Sequence, residues 1–191
     1  MSLKLLAEAV REILFAATKV PIEQIVIGPP HEAAKQQEEN VATTAGMDYL
    51  CVFFYRIGYS GFPTDATSND PLFLNAFCMI TALGARSGNK APGDSELELI
   101  GSVLECFHRH PVLRLERDGN VIAQLQILPT QLSLEDINHL WATQSQTPYR
   151  LSLGYEFALL PVPLASRPEY GGPPVQTIVL NTVSMENSDE P

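Results

Sequence analysis

Thr147-Pro148-Tyr149-Arg150-Leu151-Ser152-Leu153-Gly154-Tyr155-Glu156-Phe157-Ala158-Leu159 is the run on which the fold turns. From Tyr149 the odd positions read Tyr, Leu, Leu, Tyr, Phe, Leu, and the even ones Arg, Ser, Gly, Glu, Ala. Successive side chains of a strand point to opposite faces, so this alternation predicts a strand from Tyr149 with one aromatic-rich face on a core. The other face is small or charged. Pro148 has no N–H to give a ladder, which suits the start of a strand and not its middle. The sheet holding this strand is expected to be covered on one side.

The flanking segments supply the rest of that sheet and its cover. Leu3, Leu6, Val10, Ile13 and Leu14 recur at helical spacing, predicting a helix over Ser2–Ala17. Ile22–Ile27 reads as a short strand stopped by Gly28-Pro29-Pro30, and the polar stretch from His31 to Gly46 as a surface excursion. Tyr49–Ile57 is apolar on both faces, the pattern of a central strand, and Leu72–Leu83 repeats it. Ser95–His108 is expected to be helical, with Leu97, Ile100, Leu104 and Phe107 as its buried stripe. Val112–Arg117 and Asn120–Leu128 flank Asp118-Gly119, whose tolerance of positive φ marks a tight hairpin. A last helix, Ser133–Trp141, begins with Ser133 as N-cap and offers Leu134, Ile137, Leu140 and Trp141 to the interior. The expected class is α+β: a single mostly antiparallel or mixed sheet, helices packed on one face, and an extended C-terminal arm.

That arm follows a change in composition. Residues 1–160 carry the periodic elements; residues 161–191 begin with Pro161, Pro163, Pro168, Pro173 and Pro174 and end in an acidic tail. Between them lies Val175-Gln176-Thr177-Ile178-Val179-Leu180-Asn181-Thr182-Val183, rich in β-branched residues. Two placements suit it: a strand on the edge of the chain's own sheet, or one that pairs with a neighbouring subunit's sheet through backbone hydrogen bonds.

Composition narrows the function. A chain of 191 residues with 45% hydrophobic content fits one domain with an appendage. A formal net charge of −10 and the lack of any basic run argue against nucleic acid, whose backbone is bound through Lys and Arg clusters. Cys51, Cys78 and Cys106 are odd in number and widely spaced, which fits core residues in a reducing compartment and not a zinc knuckle or disulfide framework. No window approaches the ~20 apolar residues of a membrane span. The N-terminal segment bears Lys4, Glu8, Arg11 and Glu12, unlike a signal peptide. A soluble cytoplasmic protein is expected.

Local signs of chemistry are absent from the sequence. The Gly84–Asp94 loop has Gly84, Gly88 and Lys90, but Asn89 and Ala91 flank the lysine where a phosphate-binding loop needs Gly and Ser or Thr. His108 and His110 lack Cys or carboxylate companions at ligand spacing and sit where a helix ends at Pro111. Ser102 and Ser152 are in no nucleophile elbow. No catalytic residue, metal or cofactor is expected. The alternative is a small soluble enzyme or nucleotide-binding protein using the 84–94 loop.

Several segments, in order, resemble the cap or tail-terminator proteins of phage-tail-like contractile injection systems. They are Phe54-Tyr55-Arg56-Ile57, Leu72-Phe73-Leu74 through Thr81-Ala82-Leu83-Gly84, Leu99-Ile100-Gly101 through His110-Pro111-Val112-Leu113, and Leu132-Ser133-Leu134-Glu135 through Leu140-Trp141. Thr147-Pro148-Tyr149-Arg150-Leu151-Ser152 completes the most specific block. Leu97 departs from the pattern, which has histidine there, and Phe77-Cys78 replaces a His-Tyr pair. The resemblance implies a non-enzymatic, tail-terminator-like protein in a homo-hexameric ring. Such a ring would sit on the last ring of inner tube protein and sheath protein and fix particle length. The contacts expected to grip a partner are Val175, Thr177, Ile178, Val179, Leu180 and Val183 of the arm.

Overall fold

The computed structural model of the chain describes residues 2–41, 47–61, 72–85, 93–144 and 147–162. In chain order it has α1 (Ser2–Thr18), a 3-10 turn (Ile22–Gln24) running into β1 (Ile25–Ile27), α2 (Pro30–Val41), β2 (Tyr49–Tyr59) and β3 (Leu72–Leu83). α3 (Asp94–Arg109), β4 (Val112–Arg117), β5 (Asn120–Thr130), α4 (Leu134–Ala142) and β6 (Ser152–Val162) follow. The six strands form one sheet in the order β1-β2-β3-β6-β5-β4. Only β1 and β2 run parallel; every other pair is antiparallel. The sheet is therefore mixed and mostly antiparallel, as expected.

The deciding strand is the last in sequence and sits third from one edge, between β3 and β5. A strand with neighbours on both sides and a helix layer beneath must be apolar on its inner face. Tyr155 and Phe157 fill that face, where Phe107 of α3 meets both rings edge-on with centroids at 4.8 and 6.1 Å. The strand begins at Ser152, three residues later than the alternation suggests. Tyr149 and Leu151 stay outside, 57% and 37% exposed. The alternation also slips near the strand's end. Leu74 opposes Leu160, but Ala76 opposes Phe157, so β6 carries one extra residue there. Leu159 takes a φ of 66° and its N–H donates to Asn75 Oδ1 at 3.3 Å. This bulge turns Leu159 outward, 42% exposed, and buries Leu160 completely.

α1 and α3 cover the inner face. Leu6, Val10 and Leu14 of α1 are fully buried. Against them α3 presents Leu99, Ile100, Val103, Cys106 and Phe107. This corrects the stripe read from the sequence: Ile100 and Phe107 belong to it, while Leu97 is 61% and Leu104 46% exposed. α1 also lies against β1 and β4, the two edge strands, so the sheet curls around this helix.

The polar stretch from His31, expected as a surface excursion, is largely α2. The parallel β1–β2 pair requires a crossover, and α2 supplies it on the outer face. Ala33, Val26, Tyr49, Cys51 and Leu83 form a second, smaller cluster there. β2 is consequently buried on both faces from Tyr49 to Val52, and its partner β3 from Ala76 to Leu83. The second half of β2, past a bulge between Phe54 and Arg56, is open, with Tyr59 70% exposed.

The hairpin forms as expected: Asp118 and Gly119 adopt φ of 52° and 76°, the left-handed pair of a tight two-residue turn. α4 begins with a full capping box, Ser133 Oγ accepting from the Asp136 N–H at 3.1 Å and Asp136 Oδ2 from the Ser133 N–H at 3.2 Å. Trp141 is buried and Ile137 and Leu140 half-buried, whereas Leu134 is 80% exposed and contributes nothing to the interior. The chain joining β5 to α4 crosses β6 at Gly154. A Cβ there would stand 2.5 Å from Thr130 O and 3.0 Å from Leu132 Cγ. Because the first obstacle is backbone, Gly154→Val is expected to lower stability by about 1–3 kcal/mol. A urea midpoint equal to wild type would contradict that crossing.

Candidate partner-binding surfaces

The side chains capable of chemistry are dispersed. Cys51, Cys78 and Cys106 are all free and buried. Burial, with a lesser push from Glu32, raises Cys51 from 9.0 to about 12, and burial likewise raises Cys78 and Cys106. These thiols are protonated at neutral pH and unsuited to nucleophilic attack. An acid whose folded pKa is raised holds its proton where the unfolded chain has lost it. Stability is then unaffected below pH 9, where both states are protonated, and falls from pH 9 toward 12. We expect no thiol to react with a disulfide reagent in the folded protein at pH 7.5, all three to react in urea, and the urea midpoint to drop between pH 8 and 10. Rapid native labelling of any one thiol would contradict the packing around it.

His108 and His110 are exposed at the end of α3, and the His110 N–H closes the helix by donating to Cys106 O at 2.9 Å. Among the described residues no group of three or more His, Cys, Asp or Glu side chains stands close enough to hold a metal ion. Gly88 and Lys90 of the 84–94 loop lie outside the described residues. At one foot of that loop, Gly84 rests against the first turn of α3, where a Cβ would come within 2.9 Å of Ser95 Cβ. Arg150 anchors the same turn, donating to Glu96 Oε1 at 2.9 Å from a position only 26% exposed. Tyr149 beside it packs edge-on against Trp141 at 5.4 Å. Trp141 is buried, as its sequence context suggests, but lies outside both core clusters.

The arm contacts Val175, Thr177, Ile178, Val179, Leu180 and Val183 also lie outside the described residues. What the structure adds is where the arm starts and which edges a strand has to meet. β6 runs on to Val162, paired with Leu72 at one end of the sheet. The two edges differ. β1 is three residues long, and Arg11 Nε donates to Ile25 O at 3.1 Å, which blunts it. β4 is six residues long. The Ile127 N–H donates to Pro111 O at 2.8 Å, and Leu113 and Leu115 stand opposite Leu125 and Ala123 in the same register. Antiparallel pairs alternate between bonded and non-bonded, so Leu113 and Leu115 bond to β5 while Val112 and Arg114 turn their N–H and C=O away from it. No described strand lies beyond them.

Beside that edge runs a groove of about 420 Å³ between α1 and β4, lined by Leu5, Ala9, Ile13, Glu8, Glu12 and Glu116 among others. Sequence reading found the hairpin but not this surface, because the pattern Val-Leu-Arg-Leu-Glu-Arg fits an edge strand and an inner antiparallel strand equally. Other apolar side chains are also exposed, among them Leu97 and Leu104 on α3, and Val121 and Ile122 near the hairpin tip, the last two at 48% and 45%.

The Pvc16 N-terminal domain family matches residues 3–177 of the chain. No curated protein matches it significantly. Among solved structures it is similar to the sheath/tube terminator of an extracellular contractile injection system, PVC, in the extended state. That match has a TM-score of 0.55 at 20% identity over 97% of this chain and 64% of the other. It is also similar to the tube-terminating cap of the anti-feeding prophage, with a TM-score of 0.53 at 17% identity, covering 92% and 59%. The chain therefore spans about three-fifths of the length of the solved structures it resembles.

Proposed function

The chain belongs to the Pvc16 N-terminal domain family, and from that premise we propose that it is a structural cap of a contractile injection particle. It closes the end distal to the baseplate, contacts the last ring of inner tube protein and sheath protein, and fixes the particle's length. One observation carries the reading: almost the whole chain shares its fold with a sheath/tube terminator. The build supports the same reading. A sheet curled around α1, with interlocked apolar layers on both faces at the α2 end, makes a rigid body. A body of this kind is placed by its surfaces. The protein assembles as a homo-hexameric ring, and the segment bearing Val175 to Val183 pairs with a sheet of a sheath subunit or a neighbouring cap. It works without a cofactor, without nucleic acid and without catalysis, after assembly in the cytoplasm into a particle. No described helix is long and apolar enough to cross a membrane.

Gold labelling of a tagged chain on purified particles tests this directly. Label at one end of each rod, opposite the baseplate, is expected. Label along the shaft, or a chain that never co-purifies with rods, would overturn the proposal. The enzyme alternative has no observation in its favour.

A further inference from the structure

Of the two sheet edges, one is short and occupied by a side chain, and the other is long and open. Nothing among the described residues bonds to the outward N–H and C=O of Val112 and Arg114. Beyond them the α1 flank offers Leu5, Ala9 and Ile13, a half-buried apolar row at helical spacing, with the carboxylates of Glu8 and Glu12 at its rim. An added strand would bond to β4 on one side and lay one face on that row.

We propose that the free edge of β4, with the α1 flank beside it, accepts the Val175–Val183 segment of a second copy of this chain as a seventh strand. This rests on the proposed ring and names the contact that closes it. Three features of the chain select this occupant. The segment contains no charged residue, so it meets a groove whose charged lining is Glu8, Glu12, Glu116 and Arg114 without repulsion. Its alternation sets Ile178 and Leu180 on one face, the face that would cover Leu5, Ala9 and Ile13. The length of the spacer favours a neighbour over the chain's own edge. Residues 163–174 include Pro163, Pro168, Pro173 and Pro174, and at about 3.1 Å per residue a spacer of this length can reach as far as roughly 37 Å. β4 is two strands from β6, only about 10 Å away across the same sheet. A 37 Å reach instead matches the width of a domain this size.

Two full-length variants separate donor from acceptor. Arg114→Pro removes an outward N–H and no β4–β5 bond, since position 114 belongs to a non-bonded pair. Ile178→Pro disables the donated strand. In sedimentation, wild type is expected as an assembly, each variant alone as a single chain, and their equimolar mixture as a two-chain species. A mixture that stays single-chain, or variants that assemble as wild type does, would overturn the proposal. A crosslink avoids dependence on proline. A mixture of Arg114→Cys and Val179→Cys chains should give a disulfide-linked dimer, with the native thiols too buried to compete. A disulfide forming only within one chain carrying both substitutions would place the strand in cis and overturn the exchange. No bond in either preparation overturns the site. End-labelling of particles by the wild-type chain is scored separately. Intact labelling without exchange rejects this contact and leaves the cap standing; exchange without labelling rejects the cap alone.

Discussion

A chain ending at Val162 is expected to fold as the full-length protein does and to lose its place on particles. The cut follows from the sheet. Val162 is the last residue of β6 and pairs with Leu72, so it belongs with the body; a cut after residue 160 would remove two paired residues. Among the described residues, all of the buried core lies at or before Leu160. Removing residues 163–191 therefore takes away no buried apolar side chain of the described fold, and the urea midpoint should move by less than the change from one core methyl, about 1 kcal/mol. Under the proposed pairing of the Val175–Val183 segment, particle association rests on that strand's backbone bonds and should fall to background in co-sedimentation. A truncated chain that still sediments with particles at wild-type level would show that the arm is dispensable. One that unfolds would show that the arm belongs to the core.

The largest loss of stability is expected from Phe157→Ala. The ring is fully buried, meets Phe54 at 6.2 Å and Phe107 at 6.1 Å, and stands between Ala76 on β3 and Ile127 on β5. Few neighbours can collapse into the space, because strands on both sides fix their positions. The cost should be about 3–5 kcal/mol, a large share of the ~5–15 kcal/mol that holds a domain folded. For a chain of this size that is a fall in Tm of roughly 6–20 °C. The bulge makes a sharper comparison. Leu160→Ala should cost about 2–5 kcal/mol, and its neighbour Leu159→Ala, being exposed, within about 0.5 kcal/mol. A larger cost at Leu159 than at Leu160 would mean that the strand keeps its simple alternation and that the bulge is absent.

That pair also shows what the sequence could convey. Tyr155 and Phe157 were legible because two aromatic residues at alternate positions next to Gly and Glu have one reading. The slip at Leu159 was not, since it is fixed by Asn75 on another strand, 84 positions away. α3 posed a similar ambiguity. Leu97 and Leu104 are seven apart, and so are Leu99 and Cys106; either set makes a stripe until β3 and α1 choose one. α2 was hidden by its composition. It covers a small patch, so among its described side chains only Pro30 and Ala33 are buried and most of the remainder is as polar as a loop. Its necessity follows only from the parallel pairing of Val26 with Cys51. Turn chemistry carried its information locally, and Asp118-Gly119 and Ser133 behave as their residue types dictate. The candidate interface was half legible: the β-rich segment after the prolines stands out in the sequence, but the edge that could receive it emerges only when six strands are laid in order.

As the proposed cap, this chain ends the growth of a tubular assembly. Electron microscopy of particles from cells with the gene deleted, compared with cells carrying it, measures that most directly. Rods of one narrow length with closed ends are expected when the chain is present, and rods of scattered length with open ends when it is missing. The same narrow length distribution in both preparations would contradict the claim.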